Sequence, residues 1–259
     1  MNRPSRILAV ANQKGGVAKT TSVASLGAAL AELGHRVLLV DLDPQACLTF
    51  SLGIDPEDLE LSIHHVLTQG KSPADVLIAT DDGVDLLPAT IELARAEADL
   101  LTRTGREHVV KMALEDLPEP GYDWVLLDCP PSLGVLTVAA LTAAEAVLIP
   151  LQCETLSHRG VGQLLDTVHD VRRYTNRGLR VEGVLPTLYD GRTNHARTVL
   201  ETISETYELD VITPPIPKSI RFAEAPAAGR SILATTRKHR GAQAYREVAE
   251  NLVARAAER

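Results

Sequence analysis

Hydrophobic residues along this chain form short continuous runs, and longer segments of helical periodicity lie between them. The runs at 7–11, 36–40, 124–127 and 146–149 do not alternate with polar residues, which is typical of strands buried on both faces. Weaker strand candidates are at 181–185 and 210–212. The intervening periodicity predicts helices at 20–33, 91–101, 107–117, 133–143, 161–174, 193–207 and 241–255. This order predicts a doubly wound α/β fold with a mostly parallel sheet and helices on both faces.

The composition is that of an ordinary globular chain. No Pro/Ser-rich linker, low-complexity tract or internal repeat divides the sequence, so we expect residues 1–259 to form a single domain. No run approaches the roughly 18 apolar residues of a membrane span, and the start lacks the apolar segment of a secretory signal. Cys47, Cys129 and Cys153 form no CxxC pair, which argues against zinc, iron–sulfur and disulfide sites. We therefore expect a cytoplasmic protein.

A glycine-containing loop follows the first apolar run and leads into a helical pattern. A strand, then glycines, then Lys-Thr at a helix start predicts a phosphate-binding loop, because glycines let backbone N–H groups approach phosphate and the helix N-terminus favours anions. We expect Lys19 to reach the outer phosphates and the Thr20 hydroxyl to ligate Mg²⁺. The predicted nucleotide-binding residues of the loop are Lys14, Gly15, Gly16, Val17, Ala18, Lys19, Thr20 and Thr21.

This loop departs from the pattern G-x-x-x-x-G-K-[ST]. Gln13 and Ala18 stand at the two glycine positions, and an additional lysine, Lys14, opens the loop. Its ammonium is poorly placed to curl back under its own backbone and better placed to reach a nucleotide held by a facing subunit. A positive φ at Ala18 would cost on the order of 1 kcal/mol.

Acidic residues follow two of the predicted strands. Ligands of such sheets bind beyond the carboxyl ends of the strands, where Asp41, Asp43 and Asp128 gather. Asp128 follows an apolar run and is predicted to support Mg²⁺ directly or through a coordinated water. Asp43 is predicted to orient an attacking water, and Asp41 to bind either the metal's water shell or the loop. The alternative for each is a turn-forming or helix-capping aspartate.

Seven segments of the chain together resemble the successive motifs of one family. They are residues 11–16 (ANQKGG), 40–45 (VDLDPQ), 128–133 (DCPPSL), 149–154 (IPLQCE), 189–194 (YDGRTN), 224–226 (EAP) and 241–245 (GAQAY). In this order they resemble the chromosomal ParA (Soj-type) partition ATPases, which belong to the ParA/MinD class of P-loop proteins with a deviant Walker A loop. The resemblance extends over nearly the whole chain.

The resemblance implies an ATPase that uses ATP and Mg²⁺ and forms an ATP-dependent homodimer, with Lys14 crossing the interface. It also implies non-specific binding of double-stranded DNA by the dimer, slow hydrolysis accelerated by a ParB-like partner, and association with the nucleoid in the cytoplasm.

The resemblance also assigns roles to residues. By motif position, Asp43 would activate the water, Thr20 would ligate Mg²⁺, Pro217 and Ser219 would lie near adenine, and Arg192 and Arg221 would bind DNA. With the residues argued above, the predicted catalytic residues are Lys14, Lys19 and Asp43, and the predicted metal residues are Thr20, Asp41 and Asp128. Gly15 would permit close approach of two subunits. Most members have Asn where this chain has Ser219.

The charge pattern divides the chain. The net charge is −8, yet residues 218–246 contain seven basic residues and one acidic residue. A basic face on an acidic body favours binding to phosphate backbones, and a solvated surface of mixed charge is the alternative.

Two other functions share this fold class. A MinD-like membrane-associated ATPase would end in an amphipathic helix, but only Leu252 and Val253 are sizeable apolar residues near this end. A metabolic P-loop ligase of the dethiobiotin-synthetase type would share the loop without needing the partition motifs. ATP-dependent binding to non-specific DNA would distinguish these alternatives.

Overall fold

A computed structural model describes residues 5–154 and 157–258. Within them, strands form one seven-stranded sheet in the order β3-β4-β2-β5-β1-β6-β7. The strands are β1 (Arg6–Val10), β2 (Val37–Asp41), β3 (Ile78–Ala79), β4 (Asp85–Leu87), β5 (Trp124–Asp128), β6 (Ala146–Gln152) and β7 (Arg180–Thr187). Strand β3 is antiparallel to β4, and every other neighbouring pair is parallel. The predicted mostly parallel sheet is confirmed.

Helices connect most of the strands. They are α1 (Lys19–Glu32), α2 (Cys47–Ser51), α3 (Ile63–Gln69), α4 (Leu93–Leu101), α5 (Val109–Glu115), α6 (Val135–Ala143), α7 (Ser157–Tyr174), α8 (Asn194–Tyr207), α9 (Arg221–Glu224), α10 (Ile232–Thr235) and α11 (Arg240–Ala257). Each of the seven helices predicted from periodicity is present, with its ends displaced by a few residues.

Successive residues of the central strands supply two separate cores. Leu38 and Val40 of β2 pack in one core with residues of α3 to α8. Val37 and Leu39 pack in the other with residues of α1, α2, α10 and α11. Because a strand alternates its side chains, a continuous apolar run fills both cores at once. Helices therefore cover both faces, as the doubly wound prediction requires.

The strand predicted at 210–212 is wrong. Val211 makes only an isolated bridge to Val184. Pro214 and Pro215 follow closely, and proline has no N–H to extend a ladder. Strands β3 and β4 were not predicted, because two or three residues are too few to show a periodicity. Among the described helices, none has the length and apolar character needed to cross a bilayer.

Candidate functional site

The register of the sheet sets the acidic residues beside the glycine loop. Strand β5 lies between β1 and β2, with Asp128 opposite Val10 on one side and opposite Asp41 on the other. Both carboxylates are fully buried. Since the loop leaves the sheet directly after Val10, it begins at the same level as the two aspartates. The pairing of parallel strands thus brings together residues that are far apart in sequence.

The loop is held by contacts from two strands. The Asn12 side chain accepts a hydrogen bond from the Lys14 N–H (3.0 Å) and donates one to the Pro150 carbonyl (2.8 Å). The Thr187 hydroxyl at the end of β7 donates to the Val17 carbonyl (2.9 Å). These bonds fix the loop before any ligand arrives.

Two residues of the loop adopt left-handed backbone geometry. Gly16 has φ 73°, and Ala18, at the N-cap of α1, has φ 63°. Ala18 therefore has the positive φ that the sequence analysis considered, and this conformation costs on the order of 1 kcal/mol. Gly15 has nothing within 4 Å of the position that a Cβ would occupy, so its outer surface is open.

A cavity of about 470 Å³ opens over this loop. Its polar end is lined by Gly15, Gly16, Ala18, Lys19, Thr20, Thr21 and Asp43, and its more apolar end by Leu188, Ile216, Ser219, Phe222, Ala223 and Tyr245. Polar groups at one end and planar or branched side chains at the other suit a ligand with phosphates and a ring. Val17 is buried beneath the loop.

The two lysines of the loop have different surroundings. Lys19 lines the cavity, is buried, and has its Nζ 3.5 Å from the Lys14 carbonyl. Burial lowers the pKa of Lys19, and Asp128 is the largest of the charges that oppose this effect. Lys14 is not one of the residues that line the cavity. Its Nζ lies 2.5 Å from Oε2 of Glu154, and this contact lowers the pKa of Glu154.

Asp41 organises the segment that follows β2. One carboxylate oxygen accepts hydrogen bonds from the Thr49 N–H (2.9 Å) and hydroxyl (2.8 Å), and the other accepts from the Asp43 N–H (3.1 Å). Burial raises the pKa of Asp41 to about 6, although these bonds favour the ionised form. Of the two roles considered for Asp41, these contacts support the one of holding the loop. Asp43 in turn accepts from the Gln45 N–H (3.0 Å) and lines the cavity.

Asp128 has the surroundings of a cation ligand. Both its carboxylate oxygens are buried, and among residues 5–154 and 157–258 neither makes a well-formed hydrogen bond, although the Thr20 hydroxyl is near enough to favour the ionised carboxylate. Burial and then the Asp41 charge raise the pKa of Asp128 well above its usual range, while Thr20 and Lys19 oppose this. Unsatisfied buried oxygens are costly unless a cation or donor meets them. Together with Thr20 at the cavity, Asp128 therefore fits a Mg²⁺ site.

A second, larger concavity adjoins the apolar end. It measures about 870 Å³, and we call it the basic groove, after Arg192, Lys218 and Arg240 among its lining residues. Pro217 lines the basic groove rather than the cavity, whereas Ser219 lines the cavity. Arg192 is 90% exposed and makes a two-pronged contact with Asp190 (2.8 and 2.7 Å). Arg221 on α9 pairs with Glu224 at 2.7 Å.

Two of the basic residues in 218–246 pair with acidic residues from elsewhere in the chain. Arg230 pairs with the buried carboxylate of Asp82 (2.9 Å), and Arg246 with Glu32 (2.5 Å). Both acids lie outside the segment that showed the excess charge. Folding therefore neutralises part of the excess charge that the sequence shows in this segment.

Several contributors to the site were not predicted individually. Thr49, Thr187 and Glu154 contact Asp41, Val17 and Lys14 respectively. Thr187 could have been found, since it lies two residues past the strand predicted at 181–185, at the edge where ligands bind. Thr49 carries no such pattern, because its partner lies in a different element.

Comparison with known proteins gives consistent relatives. The AAA_31 family, described as an AAA domain, matches residues 5–181. The sporulation initiation inhibitor protein Soj of Bacillus subtilis is 43% identical over 250 residues, covering 96% of this chain and 98% of Soj. The chromosome-partitioning ATPase Soj of Thermus thermophilus is 45% identical over 253 residues, covering 98% and 97%.

A solved structure is similar over the same extent. It is described as cobyrinic acid a,c-diamide synthase from Mycobacterium smegmatis with bound ADP and magnesium, and it has a TM-score of 0.87 at 57% identity. The alignment covers 96% of this chain and 94% of that chain.

Proposed function

The chain belongs to the AAA_31 family and, within it, to the ParA/Soj-type partition ATPases, and from this premise we propose that it positions DNA or another cargo by an ATP-driven cycle of dimerisation and DNA binding. It is an ATPase whose cofactors are ATP and Mg²⁺. Residues 1–259 act as one ATPase unit in this proposal.

The observation that carries the proposal is the different placement of two lysines in one loop. Lys19 lines the cavity, while Lys14 lies outside it with its ammonium on Glu154. An ATPase that acts alone needs only the first. The second supports a role at a nucleotide held by a facing subunit, as in catalysis by a cation supplied in trans.

Hydrolysis is assigned to groups around the polar end of the cavity. Lys19 and the backbone of residues 15–21 bind the phosphates, and Asp43 orients the attacking water. Thr20 and Asp128 would hold Mg²⁺, which neutralises charge on the outer phosphates. Asp41 keeps Asp43 in place through the Asp43 N–H. Lys14 of the facing subunit stabilises charge on the transferring phosphoryl group.

DNA binding is assigned to the dimer. Arg192 beside the basic groove and Arg221 on α9 are exposed, and each is partly neutralised by its own acidic neighbour. A single subunit of net charge −8 would therefore bind DNA weakly. When two linked subunits bind one duplex, the first holds the second near the DNA. The affinity of the dimer therefore rises without any new type of contact. Contacts of this kind act through counterion release, so affinity falls with salt and depends little on sequence.

The cycle requires a partner that resets it. In this proposal the ATP-bound dimer lies on the nucleoid, and a ParB-like protein on the cargo accelerates hydrolysis and releases the dimer. Slow hydrolysis without the partner follows if the segment carrying Asp43 reaches its active arrangement only in the partner complex.

Two measurements test the proposal. Sedimentation of the Asp43→Ala variant should show a stable dimer with ATP and a monomer with ADP. A titration of non-specific duplex should then show binding only with ATP, and binding should be lost at high salt. A monomer under all conditions, or DNA binding that ignores the nucleotide, contradicts the partition function.

An amide-forming synthase is the second candidate, because the M. smegmatis structure carries that description. A synthase that takes ammonia from glutamine uses an activated cysteine thiolate. Here burial raises the pKa of all three thiols, Cys47, Cys129 and Cys153, the last to about 11. Incubation with cobyrinic acid, ATP and either glutamine or ammonia distinguishes the candidates, and we expect no amide product.

A further inference from the structure

The Ser219 hydroxyl receives two N–H donors. The Gly241 backbone N–H donates to Nδ1 of His239 at 2.9 Å, so Nδ1 must be unprotonated and the ring proton lies on Nε2. Nε2 is 3.2 Å from Ser219 Oγ and therefore donates to it. The Arg221 backbone N–H donates to the same oxygen at 3.2 Å. Both lone pairs of the hydroxyl are thus in use.

The remaining hydrogen-bonding group of Ser219 is its own proton. A hydroxyl has one donor and two acceptor positions, and only the donor is left here. Ser219 lines the same cavity as the phosphate-binding loop. A ligand that reaches Ser219 consequently meets a hydrogen-bond donor and no acceptor from this side chain.

The surroundings of Ser219 are held rigidly. The Phe222 ring packs edge-on against His239 at 6.4 Å and against Tyr245 at 5.9 Å. The Tyr245 hydroxyl is already bonded to the Ser22 hydroxyl on α1 (2.9 Å). Since His239 also caps the 18-residue helix α11, it cannot turn away without cost. The direction of the Ser219 oxygen is therefore set before a nucleotide binds.

We propose that Ser219 contacts the base as a donor only, to a purine ring nitrogen, and that the site consequently discriminates weakly between ATP and GTP. This inference rests on the proposed ATPase function and specifies its base recognition. Adenine and guanine both present N3 and N7 as acceptors. They differ at N1, in the exocyclic group at position 6 and in the amino group that only guanine carries at position 2. Ser219 cannot accept from the adenine amino group, because His239 and Arg221 occupy its acceptor positions. His239 is a positioning residue in this arrangement.

The size of the effect follows from the hydrogen-bond count. A site that hydrogen-bonds a distinguishing group can reject the wrong analogue by several orders of magnitude, and this side chain offers no such bond. We expect ATP to bind less than about tenfold more tightly than GTP, since a factor of ten corresponds to a single good hydrogen bond.

Calorimetric titration with ATP, GTP and inorganic tripolyphosphate, all with Mg²⁺, tests the proposal. Ser219→Ala should weaken the binding of ATP and of GTP by about the same factor, about fivefold. The affinity for tripolyphosphate should not change, because tripolyphosphate has no base. Ser51→Ala is the matched control. Ser51 also borders the cavity, but its hydroxyl donates to the Cys47 carbonyl at 2.6 Å, so its removal should change no affinity.

Two further variants test the acceptor argument. Ser219→Asn adds an acceptor, and His239→Asn keeps a capping oxygen for α11 but is too short to occupy Ser219. Both should raise the preference for ATP over GTP above that of the parent. If the role of His239 were purely structural, His239→Asn would weaken the binding of both nucleotides without changing the ratio of their affinities.

Three outcomes overturn the inference. The first is that the parent binds ATP about a hundredfold or more tightly than GTP. The second is that Ser219→Ala weakens tripolyphosphate binding as much as ATP binding. The third is that both Asn variants keep the parent's ratio of ATP to GTP affinity. In each of these cases ATP still binds and the proposed function stands. Failure of the parent to bind any of the three ligands would instead contradict the proposed function itself.

Discussion

The Lys14 ammonium lies 2.5 Å from the Glu154 carboxylate of its own chain, outside the cavity that Lys19 lines. For Lys14 to contact a nucleotide on a facing subunit, it must leave this carboxylate. The side chains of the two residues are 32% and 53% exposed, so solvent screens the pair and its contribution is at most about 1 kcal/mol. The contact would therefore be a modest barrier to the proposed dimerisation.

Glu154→Gln should tighten the ATP-dependent dimer. In an Asp43→Ala background, which removes turnover, we expect the dimer dissociation constant to fall by up to about fivefold, because Lys14 no longer loses an ion pair. Sedimentation at several protein concentrations measures this constant. Glu250→Gln, on the exposed part of α11, makes the same change in net charge and should have no effect. A weaker dimer would mean that Glu154 itself contributes to the interface.

Magnesium-dependent ATP binding should weaken in acid. Burial raises the pKa of Asp128, the proposed Mg²⁺ ligand, well above its usual range, and it raises the pKa of the neighbouring Asp41 to about 6. A carboxylate must be ionised to bind the metal. Between about pH 7 and about pH 5 the Mg²⁺-dependent gain in ATP affinity should therefore fall. Titrations with Mg²⁺ and with a chelator, at each pH, measure that gain. A gain that grows in acid would contradict the assignment of this carboxylate pair.

The raised pKa of Asp41 has the opposite effect on the stability of the metal-free protein, which should be greater in acid. A carboxyl group whose folded pKa is raised favours the folded state below its unfolded value near 3.8, and this contribution is lost as pH rises through about 6. Mg²⁺ with nucleotide should therefore raise the Tm more at about pH 7 than at about pH 5.

Asp190→Asn should strengthen DNA binding by the ATP-bound dimer. Arg192 holds the pKa of Asp190 at about 2, so this carboxylate stays ionised and neutralises Arg192 over the whole useful pH range. Its removal frees Arg192 for a phosphate, and the salt dependence should steepen by about one unit per subunit. Arg192→Ala should have the reverse effect.

Interferometry with duplex DNA at several salt concentrations measures both variants. Arg246→Ala removes an arginine that pairs with Glu32 and should leave DNA affinity unchanged, which makes it the matched control. Equal losses for Arg192→Ala and Arg246→Ala would show that only net charge matters.

The effect of a substitution at Ala18 on the free energy of unfolding should depend on the left-handed backbone conformation of this residue. Ala18→Gly relieves a left-handed conformation but adds freedom to the unfolded chain, and the two effects of about 1 kcal/mol nearly cancel. Ala18→Val should lower the free energy of unfolding by more than about 1 kcal/mol, because a β-branched residue tolerates this φ poorly. Thermal unfolding without nucleotide measures both. Equal stability of the two variants would mean that the loop relaxes to a different conformation.

Much of the fold could be predicted because its signals are local. Residues 37–40 are all apolar. Strand β2 accordingly supplies Leu38 to one core and Leu39 to the other. Signals failed where the element was too short or where proline intervened, as at β3 and at residues 210–212. Charge counting over 218–246 could not show which basic residues stay unpaired, because Arg230 and Arg246 have acidic partners in remote segments.

The sequence by itself determined the doubly wound α/β class and the order of loop, helix and acidic strand ends, since these depend on neighbours along the chain. Tertiary structure alone decided which groups meet. Lys14 pairs with a residue 140 positions away, and Ser219 loses one of its two acceptor positions to a ring 20 positions away. Such contacts depend on how packed elements approach in space, and no pattern of neighbouring residues encodes that distance.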